Sequence, residues 1–266
     1  MIGAIIGDII GSVYEWHNIK TTDFPLFQKK CRPTDDSIMT IAVAEGLVSS
    51  WEKGEEEIRK AVIQSLQAWG RKYPDAGYGG SFRKWLRSAN PQPYNSWGNG
   101  SAMRVSSVGW LYSSLSEVEK MARLTAEVTH NHPEGIRGAQ ALAAAVFLAR
   151  TNSDKNVIKA YLEEKYGYDL TKSLDEIRPD YVFDVSCQGS VPQAIRAFLE
   201  GGSYEETVRL AVSIGGDSDT IACMAGAAAE AYYGIPEEIK TKGLHYLDER
   251  QRESVDSFRR FVSTMK

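Results

Sequence analysis

The chain has 266 residues, of which 42% are apolar and 25% are charged, and its net charge is −4 at pH 7. This composition is typical of an ordinary soluble globular protein. Because the charge balance is negative, we expect no membrane partner, and a nucleic-acid partner is disfavoured without being excluded, since a local basic patch is still compatible with it.

The cysteines limit the class of protein further. Cys31, Cys187 and Cys223 are odd in number, widely spaced and without a CxxC pair. They predict reduced thiols in a cytoplasmic protein, and they argue against a disulfide framework or a zinc knuckle. No low-complexity stretch or linker divides the sequence, so we expect a single domain over residues 1–266.

The first predicted element is a buried helix at the N-terminus, "MIGAIIGDIIGSV". The segment contains Asp8, lacks a basic leader and is shorter than the ~20 residues of a membrane span. Gly3, Gly7 and Gly11 recur at a spacing of four, which predicts close approach of a neighbouring backbone.

A polar stripe follows from the same helical spacing. If the helix continues, Asp8, Ser12 and Glu15 lie at i, i+4 and i+7 on one face. Buried polar groups must be satisfied, so the stripe indicates either internal core hydrogen bonds or a polar pocket. Both interpretations are open at this point.

The second predicted helix begins at "TDDSIMT", residues 34–40, and continues through an apolar-periodic stretch to about Val48. Further helices follow in chain order, some amphipathic and two of them alanine-rich and apolar nearly all round. They span 54–71, 116–128, 135–150, 192–200, 204–213 and 220–233, with one or two outer helices from Pro236 onward. Residues 180–185, "DYVFDV", alone resemble a strand, and a lone strand makes no sheet. The predicted fold class is all-α.

Two loops between these helices are rich in glycine and polar residues. They are "YPDAGYGGSF" at 73–82 and "NPQPYNSWGNGSAMRV" at 90–105. Such loops can present backbone N–H groups to a phosphate, but neither matches a named phosphate motif, and plain turns remain the default interpretation. Beyond them, His130 and His132 precede the helix at 135–150, where His130 is placed to bond a ligand oxygen.

The stretch "SIGGDSDTIACMAGAAAEAYYG", residues 213–234, repeats the chemistry of residues 34–40. In both, two aspartates stand among hydroxyl residues at the start of an apolar helix. Helix capping explains one aspartate at each start but not the pair. If the two starts meet, four carboxylates gather, which requires raised pKa values or cations.

Carboxylates and hydroxyls without nearby histidine or cysteine form a hard-oxygen ligand set. Such a set suits Mg²⁺, Mn²⁺ or Ca²⁺ rather than zinc. An EF-hand is excluded, because Ala228 and Thr40 occupy positions that need glutamate and glycine when counting starts from Asp217 and Asp35. Any cation site is therefore assembled from both segments.

Taken in order, six motifs resemble the ADP-ribosylglycohydrolases, a family that includes dinitrogenase reductase-activating glycohydrolase and the ADP-ribosyl-serine hydrolases of animals. They are "GAIIGDIIGSVYEW", "TDDSIMT", "GYGGSF", "WGNGSAMRV", "THNHPEGIRGAQALA" and "GGDSDTIACMAGAAAEAYYG". The resemblance runs nearly end to end. It implies an all-α orthogonal bundle with two Mg²⁺ or Mn²⁺ ions in a central cleft.

The resemblance also implies a ligand set. One ion is expected on Thr34, Asp35, Asp36 and Asp219, and the other on Asp217, Asp219 and Thr220, with Asp219 bridging. The family usually has threonine after its first acidic pair. Here Ser37 takes that place, which retains a hydroxyl.

The remaining site residues are likewise implied by the resemblance. The family's diphosphate-binding loop is matched by Gly79, Gly80 and Ser81. The segment that holds the distal ribose and diphosphate in the family is matched by Asn99, Gly100, Ser101, Ala102 and Met103. A histidine that contacts the ligand is matched by His130. Glu15 matches a glutamate that gates the site. Glu15, Asp35 and Asp36 are the catalytic candidates, with Glu15 and Asp35 not separable as general acid or base.

The reaction expected of this set is hydrolysis of the bond between ADP-ribose and an acceptor, a modified protein side chain or a small conjugate. The ions are expected to bind the 2″ and 3″ hydroxyls and a water that attacks C1″. Two alternatives remain: a dimetal phosphoester hydrolase and a non-catalytic ADP-ribose-binding relative. The acceptor, whether arginine, serine, a nucleobase or O-acetyl, is not fixed, although the Tyr14-Glu15-Trp16 stretch is closer to the serine-type enzymes.

Overall fold

The computed structural model describes residues 1–265 and confirms the all-α fold class. Within these residues there is no β-ladder beyond an isolated bridge between Gly98 and Ser186. The helices are α1 (Ile2–Gly11), α2 (Asp35–Ser49), α3 (Glu55–Lys72), α4 (Gly80–Arg87), α5 (Gly100–Met103), α6 (Val108–Leu111), α7 (Leu115–Glu127), α8 (Pro133–Arg150), α9 (Lys155–Tyr166), α10 (Leu174–Ile177), α11 (Cys187–Glu200), α12 (Tyr204–Ser213), α13 (Ser218–Tyr233), α14 (Glu237–Leu244) and α15 (Glu249–Thr264).

Most predicted helices lie within a few residues of their expected bounds, because local caps define their starts. The ring nitrogen Nδ1 of His132 accepts from the Glu134 N–H, and Pro133 occupies the first position of α8. Likewise, the Ser203 hydroxyl accepts from the Glu206 N–H at the start of α12. The tail after Pro236 forms two helices, α14 and α15.

The predicted start of the helix at 192–200 is wrong. The helix α11 begins five residues earlier at Cys187, where the Ser186 hydroxyl accepts from the Gly189 N–H, so Pro192 lies inside the helix. Proline cannot supply the N–H for an internal helical bond and is expected in the first turn. Here the apolar face that includes Val191 and Ile195 stays buried on both sides of the proline.

Two other local expectations also fail. Residues 180–185 form no strand and instead run as an irregular segment between α10 and α11. The first helix ends at Gly11, so Glu15 lies in the turn that follows and does not continue the face of Asp8.

The centre of the fold is the contact between α1 and α13, both almost fully buried. The glycine spacing of α1 allows this approach: a Cβ on Gly3 would lie 2.3 Å from the Gly226 carbonyl oxygen, and one on Gly7 would lie 2.1 Å from that of Ala222. At Gly11 the nearest atom is the Cα of Asp219, at 2.5 Å. The glycines thus bring the end of α1 against the start of α13.

The helix α2 packs against α1, α3 and α15, so its N-terminus reaches the same point as the start of α13. The two acidic helix starts therefore meet beside the C-terminal end of α1, as the metal hypothesis requires. Among residues 1–265, no helix is long and apolar enough to cross a membrane.

Candidate metal and ligand site

A cavity of about 570 Å³ opens where the starts of α2, α4, α5 and α13 meet the turn after α1. Thirteen of the residues proposed from sequence line it: Glu15, Asp35, Asp36, Gly79, Gly80, Ser81, Asn99, Gly100, Met103, His130, Asp217, Asp219 and Thr220. Three others do not. Thr34 lies behind the cavity wall, and Ser101 and Ala102 are buried in α5, where the Ser101 hydroxyl donates to the Gly135 carbonyl.

Five carboxylates fall into two groups that share Asp219. Asp8, Asp36 and Asp219 each bring an oxygen within 4.8 Å of the others, and so do Glu15, Asp217 and Asp219. The carboxylate shared by the two groups is that of Asp219, the residue that the family resemblance implies as the bridge between two ions.

Helix capping does not account for these acids. Asp217 occupies the N-cap position of α13 but makes no side-chain cap bond, and Asp219 lies in the first turn. At the start of α2 the cap is Thr34, whose hydroxyl accepts from the Asp36 N–H at 3.3 Å. The carboxylates at the two helix starts therefore do not make the capping hydrogen bonds, although the positive ends of both helix dipoles stabilise their negative charge.

Asp8 differs from the other acids because it accepts four hydrogen bonds from the protein. Its two oxygens accept from the N–H and hydroxyl groups of both Thr34 and Ser37, with N···O distances of 2.9 and 3.0 Å. Three of these hydrogen bonds fall on Oδ2 and one on Oδ1, so Oδ2 has no acceptor position to spare whereas Oδ1 keeps one. Through these hydrogen bonds Asp8 fixes the start of α2, which supports the interpretation that Asp8 makes internal core hydrogen bonds.

Asp36, in contrast, has an unsatisfied oxygen. Its Oδ2 accepts from the hydroxyl of Thr220 at 3.2 Å, whereas its Oδ1 is buried and has no hydrogen-bond partner. A buried carboxylate oxygen without a partner is costly unless a cation meets it. This orphaned oxygen, the surrounding carboxylates and the hydroxyl of Thr220 fit a hard divalent cation.

The cluster raises the pKa of its members. Burial, and then the charges of Asp8 and Asp217, raise the pKa of Asp35 to about 7. Burial and the charge of Asp217 raise the pKa of Glu15 to about 7, against the opposing effect of Arg32. Burial and mutual repulsion also raise the pKa values of Asp36 and Asp219 well above the ordinary range.

Asn99 orients one of these carboxylates. Its side-chain N–H groups donate to Asp217 Oδ2 at 2.7 Å and to the Ser190 hydroxyl at 3.1 Å. The Asn99 backbone N–H is held by the Val185 carbonyl at 2.8 Å. The side-chain amide of Asn99 thus orients the carboxylate of Asp217, a role that the sequence did not indicate.

The glycine loop before α4 forms another part of the cavity wall. Gly77 has φ +120°, a conformation that favours glycine, and a Cβ there would lie 2.9 Å from Asp35 Oδ1. Around Gly79 and Gly80 a Cβ would meet nothing within 4 Å, and α4 starts there without a side-chain cap. The uncapped N–H groups of this helix start can receive an anion.

Sequence reasoning missed the apolar mouth of the cavity. Trp16 is 74% exposed and stacks on Phe183 with ring centroids 5.4 Å apart, and Val185 and Trp97 also line the cavity while exposed. Five of the seven large exposed apolar side chains among residues 1–265 are these four and Val182. Isolated aromatic residues carry no sequence signal of their own, because only the fold brings the segments near 16, 97 and 183 together.

Comparisons with known proteins agree with this geometry. The family model described as ADP-ribosylglycohydrolase matches residues 1–263. A solved structure described as an ADP-ribosylglycohydrolase-related protein complex superposes with a TM-score of 0.67 and 25% identity, covering 92% of this chain and 95% of its own. The predicted fold type is confirmed by this likeness.

Curated relatives cover most of the chain. The ADP-ribosylhydrolase ARH3 proteins of Mus musculus and Homo sapiens are each 29% identical over 310 residues, which is 88% of this chain and 83% and 84% of theirs. The ADP-ribosylarginine hydrolase Tri1 of Pseudomonas putida is 26% identical over 268 residues, covering 88% of this chain and 70% of its own.

Proposed function

Since the chain belongs to the ADP-ribosylglycohydrolase family and is an ADP-ribosyl glycohydrolase, we propose that it is a divalent-cation-dependent hydrolase that releases intact ADP-ribose. Its substrate is an ADP-ribosylated protein side chain or a small ADP-ribose conjugate. The orphaned buried Oδ1 of Asp36, within a cluster of carboxylates that line the cavity, carries the cation part of the proposal.

The proposed cation ligands come from the two helix starts. They are Thr34, Asp35, Asp36, Asp217, Asp219 and Thr220, for two Mg²⁺ or Mn²⁺ ions, with Asp219 shared. Thr34 also supports the site indirectly, because its hydroxyl donates to Asp8 at 2.6 Å and lies 3.3 Å from Asp36 Oδ2. When bound, such ions supply Lewis-acid stabilisation of sugar hydroxyls and a water of lowered pKa.

The chain's own residues provide proton transfer. In the cation-free protein the pKa values of Asp35 and Glu15 are about 7, which makes either carboxyl group a candidate general acid or base near neutral pH. A bound cation would lower the pKa of any carboxylate that it contacts. Asp36 is the third candidate and lies deeper in the cluster. In the proposed reaction, water attacks C1″ and passes a proton to a carboxylate of this set, while the bond from C1″ to the acceptor breaks and the acceptor leaves with a proton from a carboxyl group of the set.

Other parts of the cavity wall are proposed to bind the diphosphate and the distal ribose of the substrate. The start of α4, with Gly79, Gly80 and Ser81, is the proposed diphosphate site. The segment Asn99, Gly100, Ser101, Ala102 and Met103 is the proposed wall beside the distal ribose, within which Ser101 and Ala102 act through the packing of α5. His130 is proposed to contact the ligand.

The proposed acceptor is a protein side chain or a small conjugate, and one of the relatives is named for ADP-ribosylarginine. We also propose that residues 1–266 form one domain, supported by the extent of the family match, and that the protein is cytoplasmic, supported by three free thiols. Membrane and nucleic-acid partners form no part of the proposal.

Product analysis tests the function. The protein is incubated with ADP-ribosyl-arginine, ADP-ribosyl-serine, ADP-ribosylated DNA and O-acetyl-ADP-ribose, each with Mg²⁺, with Mn²⁺ and with a chelator. We expect intact ADP-ribose from one side-chain conjugate, with loss of release in the chelator. AMP and ribose phosphate as products would instead identify a phosphoester hydrolase, and the absence of any release with cations bound would indicate a binding protein.

A further inference from the structure

Arg104, directly after α5, is a charged side chain buried in an unusual way. It is 1% exposed, it borders the cavity, and among residues 1–265 no carboxylate forms an ion pair with it. A buried guanidinium without a counter-charge is costly. Because burial of this charge is costly, the hydrogen-bond partners of the guanidinium indicate its role in the protein.

Those hydrogen bonds lead to the ligand cavity. The Arg104 Nη2 donates to the Thr125 carbonyl at 3.2 Å and to the Thr129 hydroxyl at 2.8 Å. The Thr129 hydroxyl in turn lies 2.6 Å from Nδ1 of His130. A guanidinium only donates hydrogen bonds, so the Thr129 oxygen accepts from Arg104. Within residues 1–265 the hydroxyl hydrogen of Thr129 meets no acceptor other than Nδ1, so it is directed there.

This direction fixes the tautomer of His130. Burial, and then the charge of Arg104, lower the pKa of His130 well below its ordinary value, so the imidazole is neutral and carries one ring hydrogen. With Nδ1 accepting from Thr129, that hydrogen is on Nε2.

The Nε2 side of the ring faces two glycines of the cavity wall. A Cβ on Gly100 would lie 3.2 Å from Nε2, and one on Gly98 would lie 3.6 Å from it. The absence of side chains at these two positions keeps the space in front of the donor open. The ring thus presents an uncharged N–H donor to whatever occupies this part of the cavity.

We propose that Arg104 and Thr129 are positioning residues that hold His130 as the Nε2–H tautomer, so that Nε2 donates a hydrogen bond to a phosphate or ribose oxygen of the ADP-ribosyl group. The identity of the ligand rests on the proposed function, whereas the tautomer does not. A neutral donor recognises such an oxygen through geometry without requiring protonation of the ring.

Nitrogen-15 NMR of the histidine rings tests the tautomer in the free protein. Labelled wild type, Thr129→Val and Thr129→Ser are compared, and the His130 signals are assigned with a His130→Gln variant. We expect Nε2–H in the wild type and in Thr129→Ser, which keeps the hydroxyl. In Thr129→Val, of nearly the same shape, we expect loss of the single tautomer. A wild-type ring protonated on Nδ1, or no change in Thr129→Val, would overturn the proposal.

Calorimetric titration with ADP-ribose tests the consequence. Loss of the aligned donor is expected to weaken binding about tenfold in Thr129→Val, while Thr129→Ser binds within about twofold of wild type. Equal affinities in all three proteins would overturn the ligand contact. If the wild type does not bind ADP-ribose, the proposed function and the ligand contact both fail, and the NMR result still decides the tautomer by itself.

Discussion

At the scale of single residues, the site is organised by which carboxylates the protein satisfies and which it does not. Asp8 accepts from four donors of Thr34 and Ser37, whereas Asp36 keeps a buried oxygen without a partner. Asp217 is held by Asn99 but does not cap its helix. The protein thus uses some polar contacts to position the cluster and reserves other oxygens for a cation.

The raised pKa of Asp35 leads to a prediction about stability without cations. The pKa of this carboxyl is about 7 in the folded state, against 3.8 as its ordinary value, mainly because of burial. The folded state holds the proton more tightly, so the stabilising contribution is complete below about pH 4 and is lost as the pH rises towards 7. We expect Asp35→Asn to flatten this part of the profile of unfolding free energy against pH.

Denaturant unfolding from pH 4 to pH 8 in the presence of a chelator measures the effect. Asp23→Asn is the matched control, because it makes the same change at an exposed position and is expected to keep the wild-type profile. An Asp35→Asn profile as steep as that of the wild type would show that Asp35 titrates normally in the folded protein.

At the scale of helices, the glycine face of α1 allows the site to form. Contact between the Gly11 and Asp219 backbones places the end of α1 against the acidic start of α13. The same approach brings the turn that carries Glu15 next to Asp217. Here Asn18 exchanges two hydrogen bonds with the backbone of Gly216, at 2.8 and 3.0 Å.

Gly7→Ala tests this dependence on close packing. The added methyl group would lie 2.1 Å from the Ala222 carbonyl oxygen, in backbone that cannot yield locally. We expect a loss of roughly 1–3 kcal/mol or more in unfolding free energy, measured by denaturant titration. Gly80→Ala is the matched control: a methyl group there meets nothing within 4 Å, so its stability is expected to be unchanged or slightly higher. Equal stability of both variants would contradict the proposed packing.

Sequence periodicity predicted most of the long helices, but it missed α4 and α9 and did not place every boundary. The all-α class, the glycine spacing and the two acidic helix starts are readable because they depend on local pattern. The predicted start of α11 at Pro192 was wrong, because the cap at Ser186 and a continuous apolar face outweigh the one hydrogen bond that the proline cannot make. Glu15 was placed on a helical face that ends at Gly11, because the sequence gives no strong stop signal there.

The parts of the site that the sequence did not predict depend on tertiary structure. Asn99 binds Asp217 across 118 positions of sequence, and Trp16 stacks on Phe183 from a distant segment. The segment at 180–185 has an apolar, strand-like pattern, yet it places Phe183 and Val185 at the cavity instead of in a sheet. Only the folded chain distinguishes an exposed apolar mouth from a buried strand.

At the scale of the whole molecule, a net charge of −4 conceals a strong local asymmetry. Several acids converge at one end of the cavity, while Arg104 is buried beside another part of it with no carboxylate partner among residues 1–265. Bound cations would balance the acidic region and permit an anionic substrate to approach it. The proposed function therefore requires cation binding at the shared carboxylate of Asp219.

Calorimetric titration with Mn²⁺ of the wild type and Asp219→Asn tests whether the Asp219 carboxylate holds the cations, with Asp23→Asn as the control for loss of an exposed charge. We expect two Mn²⁺ ions to bind per wild-type and control chain. In Asp219→Asn, with helix content retained by circular dichroism, we expect loss of both ions or at least a tenfold weaker affinity. Wild-type stoichiometry and affinity in Asp219→Asn would contradict the proposed role of Asp219.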